Sequence, residues 1–219
     1  MKPLFRLMMI FATALLFVSL IGCGADDDED VVDDKDDDTA EVMLDFVDTT
    51  WQVATINGVT FEQLFTSAEP EPGDPVFETE FMLGANNWVF NDDGTFTGAL
   101  EFIVTEKYPE PVSSMKQEIT IASEGTYTTE ASTLTIATHD LSIDVVVTLE
   151  PKEVWEQQIV GITVEEFEMN LAAETKEGFS PTATGALFKA GTTYTWSVDG
   201  DSLMLTGAIQ KLVLKKASE

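Results

Sequence analysis

Residues 140–150 read DLSIDVVVTLE. Leu141, Ile143, Val145, Val147 and Leu149 recur at every second position, with Ser142, Asp144, Thr148 and Glu150 between them. A period of two sends successive side chains to opposite sides of an extended chain, so this stretch predicts a strand with one buried face. The same rhythm spreads outward in both directions. In TFTGALEFIVT, 95–105, Phe96, Leu100, Phe102 and Val104 share a face, while Thr95, Thr97, Glu101 and Thr105 take mostly the other. TYTWSV aligns Tyr194, Trp196 and Val198, and the pairs Leu203/Leu205 and Leu212/Leu214 continue the pattern. WQVATI from Trp51, NNWVF to Phe90, QEITIA to Ala122 and STLTIA to Ala137 are further strand candidates.

The links fit hairpins. Asn57-Gly58, Asp93-Gly94 and Asp199-Gly200 supply residues that tolerate positive φ. SAEPEPGDP at 67–75 and YPEPV at 108–112 read as loops, because proline cannot donate to a sheet ladder. Helix is expected in TFEQLF, 60–65, and in PKEVWEQQIV from Pro151. A third helix is expected after Thr163, where Thr163 and Glu166 form a capping-box pattern and Val164, Phe167 and Leu171 fall on one side, as far as about Lys176. The expectation is an all-β domain over residues 49–219. It is a mainly antiparallel, up-and-down barrel of about 8–10 short strands, interrupted by a helical segment around 151–177. No repeat of propeller or solenoid length is visible.

The start of the chain is of another kind. Lys2 and Arg6 precede Leu7–Ile21, fifteen residues without charge, which suits an export signal and is short for a membrane span. Leu20-Ile21-Gly22-Cys23 then resembles the bacterial lipobox. That resemblance implies cleavage after Gly22, lipid such as palmitate on the Cys23 thiol and on the new amino group, and attachment to a membrane through Cys23. Several acyl chains on one residue hold stably where one holds only marginally. Residues 1–22 are thus expected to be a signal peptide. Residues 23–48 are expected to be the lipidated cysteine and a disordered acidic tether. Ten of residues 26–38 are acids, and such a block repels itself and stays extended. Three readings of it stand: a solvated spacer, a surface-export address like that of some Bacteroidetes-type lipoproteins, or a loose site for calcium. The expected location is the bacterial cell envelope, at the outer membrane or cell surface.

Charge and motifs exclude several functions. The 219 residues carry a net charge of −29, and the sole arginine is Arg6. A surface this acidic repels phosphate backbones, so no nucleic-acid partner is expected. One cysteine rules out an internal disulfide and any cysteine-based zinc cluster. HExxH, Walker A, GxGxxG and Gly-x-Ser-x-Gly are all absent. His139, the only histidine, reads as a loop or strand-edge residue, and Asp92-Asp93-Gly94 and Asp199-Gly200-Asp201 read as turns. No catalytic residue, metal site or cofactor is expected, and the chain is not expected to be an enzyme.

The order of signals resembles the lipocalin-like domains of bacterial lipoproteins. TTWQVATINGVTF, NWVFNDDGTFTG and YTWSVDGDSLMLTGAIQKLVLKK carry the resemblance, over most of residues 49–216. META-type domains, which open with a similar tryptophan and Asn-Gly turn, are a second resemblance. The first implies a barrel closed by a C-terminal strand, with an apolar cavity for one small ligand. The expected ligand-binding residues are Trp51, Trp88, Phe90, Phe96, Phe102 and Trp196. The alternative left open is a surface structural or protein-interaction module with a solid core.

Overall fold

The computed structural model describes residues 45–66, 77–109, 111–179 and 187–218. The signal segment, Cys23, nearly all of the acidic tether and the 67–75 loop lie outside these. No helix among the described residues is long and apolar enough to cross a membrane.

Eight antiparallel strands form one closed barrel in sequence order. They are β1 (Thr50–Ile56), β2 (Glu78–Phe90), β3 (Thr95–Pro109), β4 (Val112–Glu130), β5 (Thr133–Glu150), β6 (Thr193–Asp199), β7 (Ser202–Gly207) and β8 (Lys211–Lys216), with β8 returning to β1. Three helices complete the fold: α1 (Phe61–Thr66), α2 (Lys152–Gln158) and α3 (Val164–Gly178). The all-β barrel is as the alternation requires, and the strand count is at the lower bound expected. The reason is fusion. STLTIA and DLSIDVVVTLE are one strand, β5, and Ala137 between them is a bulge: Thr126 pairs with Thr138 and Tyr127 with Ile136. One extra residue reverses the facing of side chains, so Leu134 and Ile136 point inward on even numbers and His139 to Leu149 on odd ones. His139 is therefore in mid-strand and buried, not in a loop or at an edge. YPEPV is likewise not a long loop. Tyr108 and Pro109 end β3 and Val112 begins β4, with Pro109 opposite Val112 at the tip.

The barrel is two half-sheets of unequal length. β2–β5 pair over long runs, β3 with β4 from Thr95/Thr126 to Pro109/Val112. β6, β7, β8 and β1 have only six or seven residues each. The seams between the halves are short: Thr50/Val89 and Trp51/Trp88 on one side, Thr133/Thr195 to Thr135/Thr193 on the other. Asn86 lengthens the first seam. Its side chain donates to the Val53 carbonyl (2.9 Å) and accepts from the Val53 amide (3.1 Å), so it pairs as a backbone would. It sits just past the bulge of β2 between Leu83 and Asn86.

The long sheet overhangs the short one, and helices cover the overhang. Trp155 and Ile159, with Val164, Phe167 and Leu171 of α3, pack on Tyr108, Met115, Val147 and Leu149 as a second core. The α3 capping box forms as expected, Glu166 N–H donating to Thr163 Oγ1 and Thr163 N–H to Glu166 Oε2. Glu168 accepts from the Leu149 amide (2.8 Å), which satisfies a donor on the part of β5 that β6 does not reach. Asn57 (φ 52°) and Gly58 (φ 83°) close a tight turn after β1, in the positive-φ pair the dipeptide suggests. Close packing needs two other glycines. A Cβ on Gly98 would lie 2.2 Å from the Trp88 ring, and one on Gly125 would lie 2.6 Å from the Phe96 ring.

The two ends of the barrel differ. At one end lie the β2–β3 and β4–β5 turns and the entry of the chain at Asp45. Phe46, placed in the tether by sequence, is fully buried there, and Val47 bridges to Phe90. All three helices lie toward the other end.

Candidate functional site

The six aromatics expected to bind ligand divide between these ends. Trp51, Trp88, Phe90 and Phe96 are at most 2% exposed and belong to an interlocked plug built around Phe46 and Phe188. Phe90 contacts Phe46 edge-on at 5.7 Å, Phe188 at 5.7 Å and Phe96 at 5.9 Å, and the Trp88 ring is 4.8 Å from Phe188. Trp51 donates its indole N–H to the Phe46 carbonyl (2.8 Å), and Trp88 donates to Asn86 Oδ1 (3.3 Å). Trp196 is half-buried beside Phe46 at 5.0 Å, and its indole nitrogen is buried without a hydrogen-bond partner.

Phe102 alone faces the helical end. It meets Phe65 of α1 at 5.0 Å, Phe81 of β2 at 5.8 Å and Phe179, just past α3, at 5.8 Å. Phe65 stacks flat on Phe81 at 5.4 Å. Phe102 is buried, but Phe65, Phe81 and Phe179 are only half-buried, so these rings form an aromatic mouth. Four separate elements supply it, which is why linear periodicity does not find it. Phe81 lay outside the strand expected to end at Phe90, and Phe65 and Phe179 sit at helix ends.

The inner face also carries polar groups. Continuing the even-numbered face of β3 past Val104 gives Glu106 and Tyr108, both buried, and the Tyr108 hydroxyl donates to Glu106 Oε2. Burial pushes the Glu106 carboxyl above the usual carboxylate range, opposed by that hydrogen bond. Gln117 of β4, 1% exposed, accepts from Thr175 of α3 (3.4 Å) and has only the Met115 sulfur near its amide nitrogen (4.0 Å).

Ser123 and His139 form a third polar feature, Oγ to Nε2 at 2.5 Å, beneath Phe96. His139 Nδ1 makes no well-formed hydrogen bond. Burial lowers the pKa of the ring; neighbouring Asp140 and the Phe188 backbone favour the protonated form less strongly. A serine beside a histidine is half of a hydrolytic arrangement, but the third member is not in place: Asp140 follows on the outward face. Asp93 is occupied as a turn residue, accepting from Thr95 N–H (2.9 Å) and Oγ1 (2.6 Å), which holds its carboxyl below the usual range.

The chain matches no protein-family model and no curated protein.

Proposed function

We propose that this chain is a lipid-anchored lipoprotein of the bacterial cell envelope, whose barrel is a non-enzymatic binding module for a small apolar ligand. The observation that carries the reading is the half-exposed cluster of Phe65, Phe81, Phe102 and Phe179 at the end of an apolar interior. Eight-stranded barrels have room for one such ligand, and an aromatic mouth with few polar groups is the lining such ligands select. The lipobox at Leu20–Cys23 and the lipocalin-like order of signals support the anchor and the module. The placement is coherent with both. The chain enters beside the plugged end, so a tether from Cys23 would leave the mouth facing away from the membrane.

The plug favours a second reading. Phe46, Trp51, Trp88, Phe90, Phe96 and Phe188 fill one half of the interior with mutual ring contacts, as a rigid display platform for protein partners would require. Native mass spectrometry of the protein extracted gently from membranes separates the two. A bound small apolar species that organic solvent removes supports the binding module. A bare protein that retains macromolecular partners instead favours the platform.

A further inference from the structure

The buried acid in the apolar overhang needs a reason. Glu106 is 5% exposed, and it is in no ion pair among the described residues. One carboxylate oxygen accepts from Tyr108; the other has no partner among the described residues. Charged groups are almost never buried this way unless something pairs them, because desolvation is costly. A structural role alone would be filled more cheaply by glutamine, which would accept from Tyr108 without the charge.

Its neighbours place it beside the aromatic mouth. Glu106 stands opposite Thr79, and Phe81 stands opposite Val104 on the same two strands, so Phe81 is a diagonal neighbour of Glu106 on the inner face. Across the other side, Glu106 is opposite Met115 and Val104 opposite Gln117, which makes Gln117 a second diagonal neighbour. α3 covers this face from the β5 side and reaches Gln117 through Thr175. Toward β2 the cover is thinner, and Phe77, Thr79 and Phe81 are only half-buried. A ligand entering over Phe81 would thus meet the open carboxylate oxygen after its apolar part had met the rings.

We propose that Glu106 receives the head of the ligand, and that the class bound is an amphipathic amine, an apolar body with one protonated nitrogen. This rests on the binding-module reading above. An ammonium supplies both the missing charge and the missing donor, and charge-assisted hydrogen bonds in a water-poor site are the strong ones. An anionic head would be repelled, and an alcohol would donate without neutralising.

The test is competition for the site by dodecylamine, dodecanol and dodecanoate, read by displacement of a fluorescent alkyl probe from the full mature chain. Salt of about 0.5 M keeps the net charge of −29 from drawing the amine by itself. The expected result is an amine preference of about ten-fold or more over the alcohol. That preference should vanish in Glu106→Gln while the alcohol still binds. Equal binding of the three heads by the wild type overturns the assignment of Glu106, as does an amine preference that survives in Glu106→Gln. Failure of every alkyl probe to bind overturns the binding module itself, which is a different result. Should Glu106→Gln not fold, the wild-type series decides, with Tyr108→Phe as the second variant: freeing the carboxylate of its internal donor should preserve or enlarge the amine preference, and losing it would refute the proposal.

Discussion

Asn86→Ala is the sharpest test of a barrel made of two half-sheets. The Asn86 amide serves three groups: the Val53 amide, the Val53 carbonyl and the Trp88 indole N–H. Val53 is 3% exposed, Trp88 2% and Asn86 5%, so water does not readily replace the lost partner. A buried polar group left unpaired costs about 1–3 kcal/mol. Three such groups, partly relieved by relaxation, put the loss at roughly 3–5 kcal/mol, and a domain of this size would melt ~10 °C lower. Urea unfolding followed by tryptophan fluorescence measures the energy, and amide hydrogen exchange locates it. Protection should fall first in β1 and in β2 near Trp88, because only Thr50/Val89 and Trp51/Trp88 would still pair the halves there. Asn87→Ala, on the exposed face, is the control and should change stability by less than about 0.5 kcal/mol. A loss under about 1 kcal/mol for Asn86→Ala, with β1 protection unchanged, would refute the claim that this side chain holds the seam.

Other perturbations test other parts. Gly98→Ala drives a Cβ into the Trp88 ring, 2.2 Å away, and should cost about 1–3 kcal/mol by overpacking, read as a lower urea midpoint. His139 has its pKa lowered from 6.5 by burial, so the unfolded chain takes up the proton first. Its contribution is complete above about pH 6.5 and is lost as pH falls below that, and the acid-side slope of the melting temperature should flatten in His139→Phe. Thr163→Ala removes the capping hydroxyl of α3 and should cost about 1 kcal/mol. Cys23→Ala should abolish labelling by a palmitate analogue and release the protein from membranes; retained labelling would contradict the lipobox reading.

Much of the barrel is legible because a half-buried strand writes its facing into the sequence. The faces of β3 and the second half of β5 could be read residue by residue, as could the cap at Thr163 and the turn at Asn57-Gly58. Bulges limited the rest. Ala137 reverses the inward parity of β5, so two segments of opposite phase looked like two strands and left His139 apparently between them. The irregularity between Leu83 and Asn86 likewise hid Phe77, Thr79 and Phe81 from the phase of Trp88 and Phe90. Proline misled at 108–112, where it terminates a strand tip instead of opening a loop. Of the site, Phe102 was legible as an inward aromatic. Phe65 and Phe179 were not, since nothing local says that two helix ends converge on one ring. Glu106 was available to parity, two residues beyond Val104 on the same face, but a charge on an apolar face reads as the end of a strand until the partner strand is known to continue.

The most direct measurement for the central claim is a titration of a fluorescent long-chain alkyl probe, below its aggregation threshold, into the wild type and Phe81→Asp. Phe81 stacks on Phe65 and meets Phe102, yet is only half-buried, so it can be changed at the mouth without touching the plug. The account predicts saturable binding at one site per chain in the wild type and its loss in Phe81→Asp at an unchanged fold by circular dichroism. Absence of saturable binding in the wild type, or undiminished binding in a folded Phe81→Asp, would contradict it.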